Sequence, residues 1–173
     1  MTLGDLPVYN PDRLSDEQFV DVFVARGETV EAILNDLRAQ AERGETSHAL
    51  IVGERGMGKT SLLRRIAIGV TTDDRLSKSL LPLRFREEQY NIVGLDAFWR
   101  NCGESLAEWC EQQGRDQEAA ELDAAVASAV WRDAEKAREA FFAACAKLGR
   151  RPVLFVDNLD IVEPHHNLTL VAE

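Results

Sequence analysis

Cysteine is scarce in this chain: Cys102, Cys110 and Cys145 are the three in 173 residues. An odd count at wide spacing excludes a secreted disulfide framework, and no Cys-x-x-Cys pair offers a thiolate zinc site. The three read as reduced thiols on apolar helix faces. Long apolar runs are also missing. None approaches the ~18 residues of a membrane span, and no basic-then-apolar leader opens the chain. The expectation is a cytoplasmic protein with no membrane partner. Base is in deficit too, with 20 Lys and Arg against 30 Asp and Glu and a net charge of -10. A general nucleic-acid coat needs a basic stripe, so that class is excluded and only a local patch is left. There are no internal repeats and no low-complexity tracts.

What remains is globular composition, 45% hydrophobic and 29% charged, in a length that can bury a core. Gly4, Pro7 and Pro11 make the first dozen residues an extended lead-in. Ser15 and Gln18 match a capping box and predict a short helix over 16–24, interrupted at Gly27. Val30, Ile33, Leu34, Leu37 and Ala41 repeat at helical period over 28–43, and Gly44 is a stop. The apolar run 48–52 reads as a buried strand. A helix over 60–70 turns Leu62, Leu63, Ile66 and Val70 inward. Residues 80–86 read as a strand, with Pro82 marking either a sheet edge or the start of the strand. Phe98, Cys102, Leu106, Trp109 and Cys110 share a helix face. Residues 116–148 read as one long helix whose stripe of Val130, Ala137, Phe141, Ala144, Cys145 and Leu148 packs on the sheet rather than forming an arm. Gly149 ends it, and 152–156 is a third strand. Strands alternating with helices predict an α/β protein with a parallel sheet.

Gly53-Glu-Arg-Gly-Met-Gly58-Lys59-Thr60 carries the chemistry. Its G-x-x-x-x-G-K-[ST] spacing lies between an apolar strand and an amphipathic helix, the context a phosphate-binding loop requires. Gly53 and Gly58 let the backbone wrap closely round a phosphate. Successive N–H groups from Gly53 to Ser61 form an anion nest at a helix start, with Glu54, Arg55, Gly56 and Met57 contributing backbone. Lys59 would reach the β- and γ-phosphates, and the Thr60 hydroxyl would ligate Mg²⁺. Arg64 and Arg65 are expected to face solvent. Val153-Leu-Phe-Val-Asp157 places a carboxylate at the end of a buried strand, where it would hold Mg²⁺ through water. No Asn-Lys-x-Asp motif offers guanine recognition, so the expected cofactors are ATP and Mg²⁺.

Together with a helix and then this loop, Phe23-Val-Ala-Arg26-Gly-Glu28 resembles the N-terminal box of AAA+ and STAND ATPases. Phe155-Val-Asp-Asn-Leu-Asp160 is similar to their Walker B region, particularly in the origin-recognition-like branch. The resemblance covers roughly residues 20–160. It implies a three-layer P-loop NTPase core, with 1–44 as an N-terminal extension carrying adenine-side helices and 45–173 as a partial core. It places Val24, Ala25 and Arg26 beside the adenine, with Ala25 where the family usually has glycine. It implies an ATP-hydrolysing switch or assembly ATPase. The arginine finger would come from a neighbouring subunit of a homo-oligomer or from a partner domain.

Two departures accompany it. The family commonly follows the Walker B Asp with a Glu that polarises the attacking water. Here that position is Asn158, and an amide is no general base. Asp160 is one substitute; Glu87 or Glu88, after the second strand, is another, with Glu88 preferred. The alternative reading is a non-hydrolysing nucleotide-gated scaffold or a DNA- or effector-binding regulator, or else a fragment inactive alone. Members also continue into a sensor strand and a helical lid, whereas Ile161–Glu173 follows here. The expectation is an incomplete core, the N-terminal piece of a longer protein or a truncated gene product, in which the loop strand and the Walker B strand lack the partner between them. His165 and His166 are expected on an exposed turn.

Overall fold

The computed structural model describes residues 14–85 and 94–157. Helix α1 (Asp16–Val22) begins as its sequence directs. The Gln18 N–H donates to Ser15 Oγ at 3.2 Å, and the Ser15 N–H donates to Gln18 Oε1 at 3.1 Å, which completes the capping box. Helix α2 (Gly27–Arg43) stops at Gly44, whose φ of 73° is one that glycine reaches without strain. Helix α3 (Lys59–Thr72) buries most of its later half, Ile66 to Val70. A single turn, α4 (Leu76–Ser79), leads into strand β1 (Leu80–Arg84). Helix α5 (Leu95–Gln112), helix α6 (Asp116–Val126), a 3-10 turn (Ala129–Arg132), helix α7 (Ala134–Lys147) and strand β2 (Arg151–Phe155) follow.

The chain forms two compact units, Met1–Leu76 and Ser77–Glu173. In the first, α1 and α2 both pack on α3. Phe19, Val30 and Leu34 are buried there, as are Leu62, Ile66 and Val70 of α3. Gly69 lets α2 approach closely, since a Cβ there would lie 2.7 Å from a Leu34 methyl. Two ion pairs fasten the helices. The guanidinium of Arg38 on α2 donates to Asp73 at 2.8 Å, and that of Arg64 on α3 donates to Asp16 at 2.8 Å.

In the second unit β1 and β2 pair in parallel, from Leu80 opposite Arg151 to Arg84 opposite Phe155. The Phe85 N–H continues the ladder to the Phe155 carbonyl at 3.2 Å. Strand alternation then puts β1 donors at odd positions, so Pro82 faces off the ladder and costs it no bond. The core beside this sheet is aromatic and sulfur-rich: Phe98, Trp99, Trp109, Trp131 and Phe141 surround Cys102, Cys110 and Cys145. All three cysteines are buried and unbridged, as their apolar context suggested. Burial pushes the Cys145 thiol up to about 12 and moves Cys102 and Cys110 in the same direction.

The segment expected as one helix over 116–148 is broken. The chain leaves α6 after Val126, inserts the 3-10 turn, and restarts at Asp133, whose carboxylate accepts from the Lys136 N–H at 3.1 Å. The break lets Trp131 enter the core against Gly103 of α5. An unbroken helix would have ranked Trp131 on its own stripe and lost that burial. Of the expected stripe, Ala137, Phe141 and Cys145 are buried, whereas Val130 sits in the 3-10 turn and is exposed, because the break takes it off the helix face.

Candidate functional site

The loop before α3 is shaped by glycine backbone. Gly56 and Gly58 have φ of 84° and 74°, in the left-handed region that side chains avoid. A Cβ at either would meet nothing within 4 Å, so conformation rather than space demands glycine there. The Met57 N–H donates to the Glu54 carbonyl at 3.3 Å and closes the turn. Residues Gly53 to Gly58 are exposed, while Lys59, Thr60 and Ser61 are half-buried.

Gly58 is the N-cap of α3 and offers no side chain to its N–H groups. The first intrahelical bond runs from the Leu62 N–H to the Gly58 carbonyl at 2.9 Å. Ahead of it stand the N–H groups of Lys59, Thr60 and Ser61 in the first turn. The first turn carries no acid to repel an anion, and the helix dipole adds positive potential there. Lys59 Nζ donates to the Gly53 carbonyl at 2.8 Å and to the Glu54 carbonyl at 3.2 Å, so the ammonium folds back across the loop. Aligned N–H donors plus a mobile ammonium make a donor set that fits phosphoryl oxygens.

The residues leading into the loop depart from expectation. Residues 48–52 belong to no sheet among the described residues, and Leu50 and Val52 are 79% and 83% exposed. An extended apolar run is buried only when neighbouring strands and covering helices surround it. The described sheet is β1 paired with β2, which supplies neither to 48–52.

Asp157 lies two residues beyond β2 and is half-buried. Because the pairing is parallel, the chain leaves β1 and β2 at the same end of the sheet. Glu87, Glu88, Asn158, Asp160, His165 and His166 lie outside the described residues.

Val24 and Arg26 fall in the connection between α1 and α2. Val24 is 93% exposed, and Arg26 is held at φ 61°, the one non-glycine residue in the left-handed region among those described. Its carbonyl accepts the Val30 N–H at 3.0 Å and starts α2. Register shows where this turn points. Arg38 and Asp73 are 35 residues apart, and so are the facing Leu34 and Gly69. The helices therefore run in the same sense. Carried back along both, this register puts the start of α2 toward the start of α3, the end that bears the loop.

Arg64 corrects a sequence expectation: it is 6% exposed, not on the solvent face. Its guanidinium donates to Asp16 Oδ1 and to the Leu14 carbonyl and lies 4.5 Å above the Phe19 ring. Ile68, four residues on and buried, was the signal available in the sequence that this helix face turns inward.

A lysine-threonine helix start behind a left-handed glycine pair, in a chain with a parallel α/β unit, defines a P-loop nucleotide-binding protein. The chain belongs to a family within that class: the model of the AAA ATPase domain family matches residues 22–171. Membership implies nucleotide binding, typically with Mg²⁺. Comparison with curated proteins and with solved structures gave no match. Among the described residues, no helix is long and apolar enough to cross a membrane.

Proposed function

We propose that the chain binds ATP at Gly53–Ser61 and hydrolyses it as a nucleotide-dependent switch or assembly ATPase of the STAND, origin-recognition-like kind. The observation that carries this is the start of α3. A left-handed glycine pair, three N–H groups ahead of the first helical bond and the Lys59 ammonium meet there, with no acid in the first turn. Lys59 is assigned to the β- and γ-phosphates. Thr60 and Asp157 are assigned to Mg²⁺, a hard ion served by hydroxyl and carboxylate oxygen. Bound Mg²⁺ supplies charge neutralisation to the phosphates. Val24 and Arg26 are assigned to the base side, which the shared sense of α2 and α3 supports. Glu88 is assigned ahead of Asp160 to polarise the attacking water. An arginine finger would come from a second copy or a partner domain, and such a group is worth ~10³–10⁵ in rate.

The experiment is titration of the full chain with fluorescent ATP and Mg²⁺ beside Lys59→Ala. Saturable binding that weakens about a hundredfold in the variant is expected, because a desolvated charge partner is lost. Equal signals from both proteins would sink the reading. Single-turnover hydrolysis by Glu88→Gln and Asp160→Asn then separates the two carboxylates. Wild-type turnover by Glu88→Gln with intact binding would remove Glu88.

Asn158, in the place of the usual glutamate, favours a second reading: a nucleotide-gated scaffold for DNA or an effector that binds ATP without splitting it. Binding with no phosphate release in the presence of the partner would select it.

A further inference from the structure

Arg64 is a buried charge with several bonds, and the phosphate reading does not use it. Arg64 lies five residues after Lys59 on α3. One guanidinium makes three kinds of contact with the chain from Leu14 to Phe19. It donates to the Leu14 carbonyl at 2.7 Å. It donates through Nε and Nη2 to Asp16 Oδ1 at 3.3 and 2.8 Å. It also covers the Phe19 ring at 4.5 Å. A planar fork can satisfy all three at once, and an ammonium cannot.

We propose that Arg64 is a positioning residue for the base end of the nucleotide. It docks α1 on the phosphate-loop helix. Helix α2 is fixed to the same helix by Leu34 on Gly69 and by Arg38 on Asp73. The turn from Phe23 to Arg26 is thus tied at both ends to α3. It carries an exposed valine and an arginine in a backbone conformation that costs energy, and such strain persists only where the surroundings enforce it. With the start of α2 toward the loop, the Arg64 clamp holds Val24 and Arg26 where a base attached to the bound phosphates can meet them. The inference rests on the nucleotide reading above and adds its base-side control.

The test separates base from phosphates. ATP and inorganic tripolyphosphate, each with Mg²⁺, are titrated into the full chain, Arg64→Ala and Asp16→Asn, with circular dichroism as the check on folding. Wild type should bind ATP more tightly than tripolyphosphate. Arg64→Ala should weaken ATP about tenfold, within the range of coupling between sites, and change tripolyphosphate less than about twofold. Asp16 is mostly exposed, so Asp16→Asn should keep the fold and show the same selectivity at smaller size. It carries the test if Arg64→Ala does not fold. Equal weakening of both ligands, or of neither, overturns the proposal. Wild type that binds tripolyphosphate as tightly as ATP overturns it while the phosphate site stands. Wild type that binds neither removes the nucleotide reading, and this proposal with it.

Discussion

Each unit crosses two helical segments over a glycine, and the two crossings are built differently. In the first unit Gly69 receives the end of the Leu34 side chain, and polar links do the fastening around it. In the second, Gly103 receives the Trp131 ring and a Val126 methyl, with Cβ approaches of 2.6 and 2.7 Å, inside an aromatic and thiol core. A leucine tip can swing aside, whereas an indole locked among buried rings cannot. The first unit therefore sets directional bonds beside a contact that can shift, and the second closes its glycine against a filled aromatic core.

The largest expected effect breaks the second unit where it is fullest. Phe141 is 0% exposed, and Phe141→Ala should cost about 3–5 kcal/mol in urea unfolding followed by tryptophan fluorescence. A loss below about 1 kcal/mol would mean that this core is not close-packed. The paired glycines sharpen the contrast. Gly103→Ala should destabilise by about 1–3 kcal/mol, because the indole has nowhere to go. Gly69→Ala should fall within about 1 kcal/mol of neutral, since the helical gain of alanine offsets a shift of Leu34. Equal costs in thermal melts would erase the distinction.

A modest, pH-dependent effect belongs to the polar links. Asp73 accepts from the Leu76 and Arg75 N–H groups and from Arg38, and these bonds, the Leu76 bond foremost, hold its carboxyl below its ordinary value of 3.8. A lowered folded value means that the contribution is full above 3.8 and is lost as pH falls through the lower folded value. Asp73→Ala should cost about 1 kcal/mol at neutral pH, and the gap to wild type should close as pH drops below 3.8. A gap that stays constant with pH would assign the residue a role in packing alone.

Local signals made much of this legible. The Ser15–Gln18 box, the apolar period of α2, the stops at Gly44 and Gly149, and the GxxxxGKT loop are each written within a few residues, and each appears where expected. So does the parallel α/β class, through β1 and β2. Signals that depend on distant partners were harder to read. The run 48–52 is apolar and extended, but a strand exists only with a neighbour. Arg64 reads as a surface charge until Asp16 and Leu14, about fifty residues earlier, arrive beside it. The break before α7 was marked by Ser128 and Asp133, both good caps, but the helix-forming residues around them outweighed that mark. Of the proposed site, the shape of the loop is written locally, while the direction in which the turn of Val24 and Arg26 points depends on a helix register that no short window contains.

The aromatic and thiol core also divides the chain for spectroscopy. Every tryptophan and every cysteine lies between residues 99 and 145. Indole emission and thiol-reagent uptake therefore report on the second unit alone, and the loop-bearing unit is silent to both. A change in tryptophan emission on adding unlabelled ATP would show the second unit responding to nucleotide, obtained without introducing a single label.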